Sequence, residues 1–282
     1  MILITDSGST KTNWIAINNK GEQLFKTKTK GLNPAVFKSK VLEKRIRKND
    51  ELFACKEVVT KIHFYGAGCG TKTPRIILHK VLESFFPNAE IFIKEDTEAA
   101  VFSVTTKPAI VCILGTGSNC SYFDGKITHQ KITSLGYIIM DECSGNYFGK
   151  ILLRDYFFHK MPEDFAEGFA LNYNLDSDHI KKNLYREDNP NTYLAGFSHY
   201  LIHHKNCDYA QKVIYRGLEL FIENQILQYN ESKKLPIHFI GSLAFYLEDE
   251  IKSIFKKYNL KLGKIERRPI DGLVQYHIKL NK

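Results

Sequence analysis

Two apolar runs near the amino end, Met1-Ile2-Leu3-Ile4 and Trp14-Ile15-Ala16-Ile17, read as buried strands, and the polar stretch Asp6-Ser7-Gly8-Ser9-Thr10-Lys11-Thr12 lies between them. The stretch is therefore a hairpin loop. It offers one carboxylate, a glycine that lets backbone amides approach a ligand closely, and hydroxyls plus an ammonium able to donate to phosphate oxygens. Taken alone, it is equally an ordinary polar turn. What constrains the fold is its recurrence. Ala109-Ile110-Val111-Cys112-Ile113-Leu114 is a second continuous apolar strand, Gly115-Thr116-Gly117-Ser118-Asn119 its glycine-rich turn, and Cys120 to Phe123 the returning strand. Such a chain is built from two copies of one supersecondary unit.

The first copy continues through a strand over Gln23 to Thr29, after the tight-turn sequence Asn19-Lys20-Gly21. The spacing of Val36, Val41, Leu42 and Ile46 predicts a helix from near Pro34 to near Lys48. Lys61 to Tyr65 reads as a strand ending in Gly66-Ala67-Gly68-Cys69-Gly70, followed by a helix from about Pro74 to Phe86, a strand at Glu90 to Lys94 and a helix opening at Glu95-Asp96-Thr97-Glu98. The order is βββαβαβα. The second copy has its third strand at Lys126 to Thr133, then a helical insertion over about 145–230. After it come a strand at Ile237 to Ile240 ending in Gly241-Ser242, a helix over Leu243 to Tyr258, an extended Lys261 to Arg267 and a last helix over Ile270 to Lys279. The two halves would face one another across a cleft. The division is expected at Lys107-Pro108, giving domains 1–107 and 108–282, with the last helix in a position to pack back across it.

Hydrophobic residues make up 43% and charged residues 25% of the chain, values usual for a soluble globular protein. No apolar run reaches the roughly 20 residues needed to cross a bilayer, and no signal-like segment opens the sequence, so the expected location is the cytoplasm, away from any membrane. Cys55, Cys69, Cys112, Cys120, Cys143 and Cys207 are scattered and expected to be free thiols. The net charge of +9 is concentrated early, at Lys26, Lys28, Lys30, Lys38, Lys40, Lys44, Arg45, Arg47 and Lys48 among others. The run is not interleaved with aromatics and belongs to no nucleic-acid reading module, so a solvated surface is expected and no nucleic-acid partner.

With these residues laid out, the chain resembles the actin and sugar-kinase superfamily, and within it the branch of N-acetylglucosamine kinases and BadF/BcrA-type ATPases. The carriers are the two loops at Asp6–Thr12 and Gly115–Asn119, Gly31-Leu32-Asn33-Pro34, the acidic helix start at Asp96, Leu135-Gly136-Tyr137 leading into Asp141-Glu142-Cys143-Ser144-Gly145, Gly241-Ser242-Leu243-Ala244, and Gly272-Leu273-Val274-Gln275-Tyr276-His277. The resemblance covers nearly the whole chain. It implies a two-domain actin-like ATPase fold of the ribonuclease H-like α/β class, and transfer of the ATP γ-phosphoryl group to the 6-hydroxyl of an amino sugar, N-acetylglucosamine first among candidates. Glucosamine, N-acetylmuramic acid and glucose stay open.

The resemblance also implies roles. Asp6 and Asp141 would hold Mg²⁺ through water, and Asp6, Gly8, Ser9, Thr10, Lys11, Gly115, Thr116, Gly117, Ser118, Gly241 and Ser242 would bind ATP. Lys11 reads equally well as a surface lysine. Asn33, Gly66, Ala67, Asp96, Thr116, Asn119, Asp141 and Glu142 would line the sugar site, although Asn33 also suits a turn before proline. Asp96 is the candidate general base, with a helix-capping role as its alternative. A homodimer is compatible with all of this.

One departure stands out. Where the family pattern reads Gly-Asp-Glu-Gly-Ser, this chain has Met140-Asp141-Glu142-Cys143-Ser144. If those glycines serve positive φ or close approach to the sugar, their loss narrows the pocket. Two alternatives keep the fold without the reaction: a non-catalytic sugar or nucleotide sensor, and a BadF-type ATPase activator carrying an iron–sulfur cluster on cysteines. No Gly-x-x-x-x-Gly-Lys-Ser/Thr spacing marks a P-loop, Gly66 to Lys72 coming nearest. His199 and His203, with His204 and Cys207 behind, have passable zinc spacing but read better as a partly exposed helix face.

Overall fold

Residues 1–8, 11–187 and 189–280 are described by the structure, a computed structural model, which divides into two compact units: Met1–Thr106 with Arg268–Lys282, and Lys107–Arg267. In the first, β1 (Ile2–Ser7), β2 (Lys11–Ile17) and β3 (Gln23–Lys30) form an antiparallel meander. Helices α1 (Ser39–Arg47) and α2 (Asp50–Cys55) lead to β4 (Lys61–Gly66), α3 (Lys72–Phe85) to β5 (Glu90–Glu95), and α4 (Asp96–Val104) follows. The sheet order is β3-β2-β1-β4-β5, with β1, β4 and β5 parallel. The central strands are largely buried because both faces are covered. Leu3, Trp14, Ile62 and Phe64 pack against Leu42, Ile46, Leu78 and Leu82 on one side. Ile2, Ile4, Ile15 and Tyr65 pack on the other against Ala99 of α4 and against Ile270 and Leu273 of the chain's closing helix.

The second unit repeats the plan. It holds β6 (Ala109–Leu114), β7 (Ser118–Phe123) and β8 (Thr128–His129), then α5 (Gly145–Phe157), α6 (Glu163–Asn172), α7 (Ser177–Tyr185), α8 (Pro190–His203) and α9 (Asp208–Asn224). Two short 3₁₀ turns precede β9 (Ile237–Ile240), α10 (Ser242–Tyr246), α11 (Glu248–Lys257) and β10 (Leu262–Glu266). The order β10-β9-β6-β7-β8 matches the first sheet strand for strand, with β6, β9 and β10 parallel. This is the duplicated α/β actin-like fold. The closing helix, α12 (Pro269–Leu280), belongs to the first unit, whereas the sequence division had grouped it with the second half.

Four local expectations change, each for a visible reason. Helix α1 begins at Ser39 because the Asn33 side chain and carbonyl take the amides of Ala35, Val36 and Phe37 into a turn. Asn49 caps α2, an unexpected helix, by accepting from the Leu52 amide. Strand β8 shrinks to two residues, since Asp124 Oδ1 gathers the amides of Lys126 and Ile127 into the turn and the Lys131 amide leaves for the Tyr229 hydroxyl. The helix expected over Leu243 to Tyr258 breaks at buried Leu247, where Lys205 Nζ caps the Tyr246 carbonyl at 2.9 Å. No described helix is long and apolar enough to cross a membrane. All six cysteines are unpaired, five of them buried.

Candidate active site

In the first unit the parallel register aligns the carboxyl ends of three strands, Ser7 opposite Gly66 and Gly66 opposite Glu95. In open α/β sheets this is the edge where ligands bind. Asp6 precedes Ser7 and faces Asn13 and Tyr65 across the strands. The Asn13 side chain donates to its carboxylate, yet burial and the negative charge of Asp271 push the Asp6 pKa up to about 6, Lys11 opposing them. Below it, Ser7 Oγ and Thr12 Oγ1 are 2.6 Å apart, and the Leu32 amide donates to Ser7 Oγ. The Gly8 amide donates to the Lys11 carbonyl at 2.9 Å, which closes the hairpin. Ser9 and Thr10 lie outside the described residues. Lys11 is exposed at the start of β2, opposite Lys30.

Asp96 is the first residue of α4, one step past the end of β5. The capping role that competed for it is filled by others: Glu95 accepts from the Glu98 amide, and the Glu98 carboxylate takes the Glu95 amide in return. Burial, then the charges of Glu95 and Asp6, raise the Asp96 pKa to about 7, against hydrogen bonds from the Thr97 amide and its own. Beside it, burial and the Asp96 charge push the Cys69 thiol up to about 12. The loop bearing Gly66 and Ala67 is pinned by the Ala67 amide to the Ser7 carbonyl and by Arg75 to the carbonyls of Cys69 and Gly70. Asn33 is buried with Oδ1 engaged by the Ala35 amide, and Gly68, at φ +78°, packs directly on that oxygen. The turn role of Asn33 is thus present.

The second unit gathers its predicted residues at the ends of β6 and β9. The Gly115 amide donates to the Gly117 carbonyl, while the carbonyls of Gly115 and Thr116 accept from the amides of Gly145 and Asn146 at the start of α5. Gly241, at φ +124°, lies so close to the Leu114 carbonyl that a side chain would clash with it, and Ser242 opens α10 just beyond. Asp141 is buried beneath this turn, accepting from the Ser118 amide and the Asn146 side chain; burial still raises its pKa. A Cβ at Gly117 would stand 2.7 Å from Asp141 Oδ2, so only glycine lets the carboxylate come this close. Asn119 Oδ1 accepts from Gln130, and Glu142 Oε2 is buried without a hydrogen-bond partner among the described residues.

The glycine-to-side-chain departures separate here. Cys143 sits at φ +59° and Asp141 at φ +69°, so backbone in the left-handed region is retained with the wrong residue for it at Cys143. Met140 has no such backbone, and its Sδ accepts from the Leu135 amide.

Gly115, Thr116 and Ser242 open onto a groove of about 740 Å³ that the sequence reading only partly foresaw. Its other walls are Ala195, Ser198, His199, Ile202 and His203 of α8, with Lys205, and Leu243, Phe245, Tyr246 and Arg267 opposite. Arg267 lies over the Phe245 and Tyr246 rings and donates to the Tyr246 hydroxyl at 2.8 Å. His199 and His203 are exposed toward this groove, and no group of three or more His, Cys, Asp or Glu side chains among the described residues is arranged to hold a metal. Taken each in its own unit, half-buried Asp6 and buried Asp141 are carboxylates of the kind a hard cation takes while keeping part of its water shell.

No family model matches the chain, and neither does a curated protein. Solved structures do. A protein from Porphyromonas gingivalis provisionally assigned as an N-acetylglucosamine kinase is 35% identical and superposes with a TM-score of 0.92 over 99% of each chain. One from Chromobacterium violaceum with the same provisional assignment matches 98% of each chain at 14% identity and a TM-score of 0.76. A ROK-family glucokinase from Streptomyces griseus, solved with glucose and AMPPNP, matches 98% of this chain and 97% of its own at 12% identity and a TM-score of 0.56. The last two bear on the fold alone. The first bears on descent, and with it the chain belongs to the actin-like sugar kinase family, on its N-acetylglucosamine-kinase-like branch.

Proposed function

We propose that this sugar kinase is ATP-dependent and phosphorylates N-acetylglucosamine at the 6-hydroxyl. The observation that carries the reading is the Asp96 carboxylate, held at the helix amino end and raised by burial and by the charges of Glu95 and Asp6 to a pKa of about 7, where a general base works best. In the step, the sugar O6–H proton passes to Asp96, O6 forms a bond to the γ-phosphorus, and the bond from that phosphorus to the β,γ-bridging oxygen breaks with its electron pair leaving on ADP. The Gly115–Gly117 turn and Ser242 receive the nucleotide, whose base and ribose suit the groove lined by Phe245, Tyr246 and Arg267. Mg²⁺, held through water by Asp6 and Asp141, would offset phosphate charge.

Asn33, Gly66, Ala67, Asn119, Asp141 and Glu142 supply polar contacts for a hydroxyl-rich, amide-bearing ligand. The test is a coupled ADP-release assay with magnesium ATP against hexoses and amino sugars, run beside Asp96→Asn. Turnover on N-acetylglucosamine that vanishes in the variant is the expected result. Turnover on another sugar alone would replace the substrate. Silence on every sugar, with nucleotide still bound, would favour the sensor or activator reading.

A further inference from the structure

Asn146 is the second residue of α5, 1% exposed, and its side chain does nothing that the helix needs. Ser144 caps α5, its Oγ accepting from the Tyr147 amide at 3.1 Å. The bond from the Asn146 amide to the Thr116 carbonyl is made by backbone, so any residue other than proline would supply it. What the side chain adds is one donor to the Asp141 carboxylate. Its Oδ1 meanwhile has no hydrogen-bond partner among the described residues, an arrangement that folded proteins avoid unless something other than folding retains it.

Ser118 repeats the pattern. Its amide donates to Asp141, while its Oγ, in a residue 9% exposed, has no partner among the described residues. Ser118 and Asp141 both line a pocket of about 10 Å³, together with Asn119, Met140 and Gln225, a space for a single hydroxyl or water. Gly117 is bare on the Asp141 side, which keeps the carboxylate against the turn.

We infer that Asn146 is a positioning residue for ligand recognition: it fixes the Asp141 carboxylate so that it accepts from a hydroxyl of the sugar. The inference deepens the proposed function and rests on its assignment of Asp141 to the sugar site. A carboxylate left to rotate would still bind sugar, but less tightly, while binding of ATP in the absence of Mg²⁺ would be unaffected.

Asn146→Ala separates this role from a structural one. It removes a buried orphan oxygen, so the midpoint of thermal unfolding stays within about 2 °C of wild type, the KM for sugar rises about tenfold, as expected for losing a hydrogen bond to a charged group, and the Kd for ATP measured without Mg²⁺ stays within about twofold. Asn146→Ser, which keeps a donor, recovers part of the loss. In an Asp141→Asn background Asn146→Ala has little further effect, because the two act through one contact. Unchanged sugar KM in a folded Asn146→Ala variant, or full additivity with Asp141→Asn, would overturn the inference. If the wild type turns over no sugar, the kinase reading fails separately, and calorimetric binding of N-acetylglucosamine decides the inference. Binding about tenfold weaker in Asn146→Ala supports it, while equal binding, or none to wild type, overturns it.

Discussion

Tyr65 Oη lies 3.0 Å from His277 Nε2, joining the central sheet of the first unit to its closing helix, and the His63 ring stacks on His277 with centroids 3.9 Å apart. Burial, with the positive charges of Lys61 and Lys94 nearby, holds His63 down to about 4; burial, then His63 and the same lysines, hold His277 down to about 3. In the unfolded chain both titrate near 6.5. Below that pH the unfolded state binds more protons than the folded one, so stability falls as pH drops from about 6.5 toward 3. The contribution of these two histidines to the unfolding midpoint, measured from pH 7 to 4, is a steady decline, which the raised carboxylates of Asp6 and Asp96 oppose. His63→Phe, which keeps the stacking on Phe92, should make the decline shallower.

Asp96 gives the opposite dependence. Its folded pKa, about 7, lies above the unfolded value, so its ionised form costs stability that grows as pH rises through 7 and is absent below the unfolded pKa. Asp96→Asn should therefore lower turnover by at least about a hundredfold and yet raise the unfolding midpoint at pH 8 by about 2–4 °C, the shift that ~1 kcal/mol produces in a chain of this size. At pH 5 the gain should shrink. Thermal melts at both pH values, beside the rate assay, check the pair, and a variant less stable than wild type at pH 8 would contradict it.

Wild-type turnover should rise with pH and level off, with half the plateau reached at pH 7 or below, because a base must be ionised and bound cations favour the ionised form. A pH–rate profile on saturating sugar and ATP measures this. An activity that increases on acidification would remove Asp96 from the role of base.

Gly149 of α5 packs against the Leu194 carbonyl of α8 with no room for a side chain. Gly149→Ala should force the helices apart at a cost of about 1–3 kcal/mol. Since α8 also carries Ser198, His199, Ile202 and His203 into the groove, the KM for ATP should rise more than the KM for sugar. Urea denaturation and steady-state kinetics on the same variant read both effects.

Cys143→Gly sets two terms against each other. Glycine relieves a left-handed backbone costing about 1–2 kcal/mol, but it loses a buried side chain and adds unfolded-chain entropy of similar total size. The unfolding midpoint should change by no more than about 3 °C. Met140→Gly has no strain to relieve and should destabilise, by about 0.5–1 kcal/mol, which chemical denaturation can resolve.

The two sheets were readable because their central strands are apolar runs closed by glycine-rich turns, a local signal at Ile2–Ser7 as at Ala109–Leu114. The acidic helix start at Asp96 was readable too, but not that Glu95 and Glu98 would satisfy each other. The α8 wall of the groove escaped. Ser198, His199, Ile202 and His203 share a helix face by spacing, yet periodicity cannot say whether a face meets water or a cavity, and Phe245, Tyr246 and Arg267 arrive from elsewhere in the chain. The break at Leu247 was equally hidden, since it depends on Lys205, a cap supplied from another element.

Because α12 completes the first unit after the second has been threaded between, that unit is discontinuous in the order of synthesis. On the ribosome, Met1–Thr106 emerges first but lacks Ile270, Leu273 and Val274, leaving Ile2, Ile4, Ile15 and Ile17 without part of their cover. Exposed apolar sheet of this kind is prone to misassembly. The uninterrupted unit, Lys107–Arg267, has no such dependence, so the half made second is in a position to mature first.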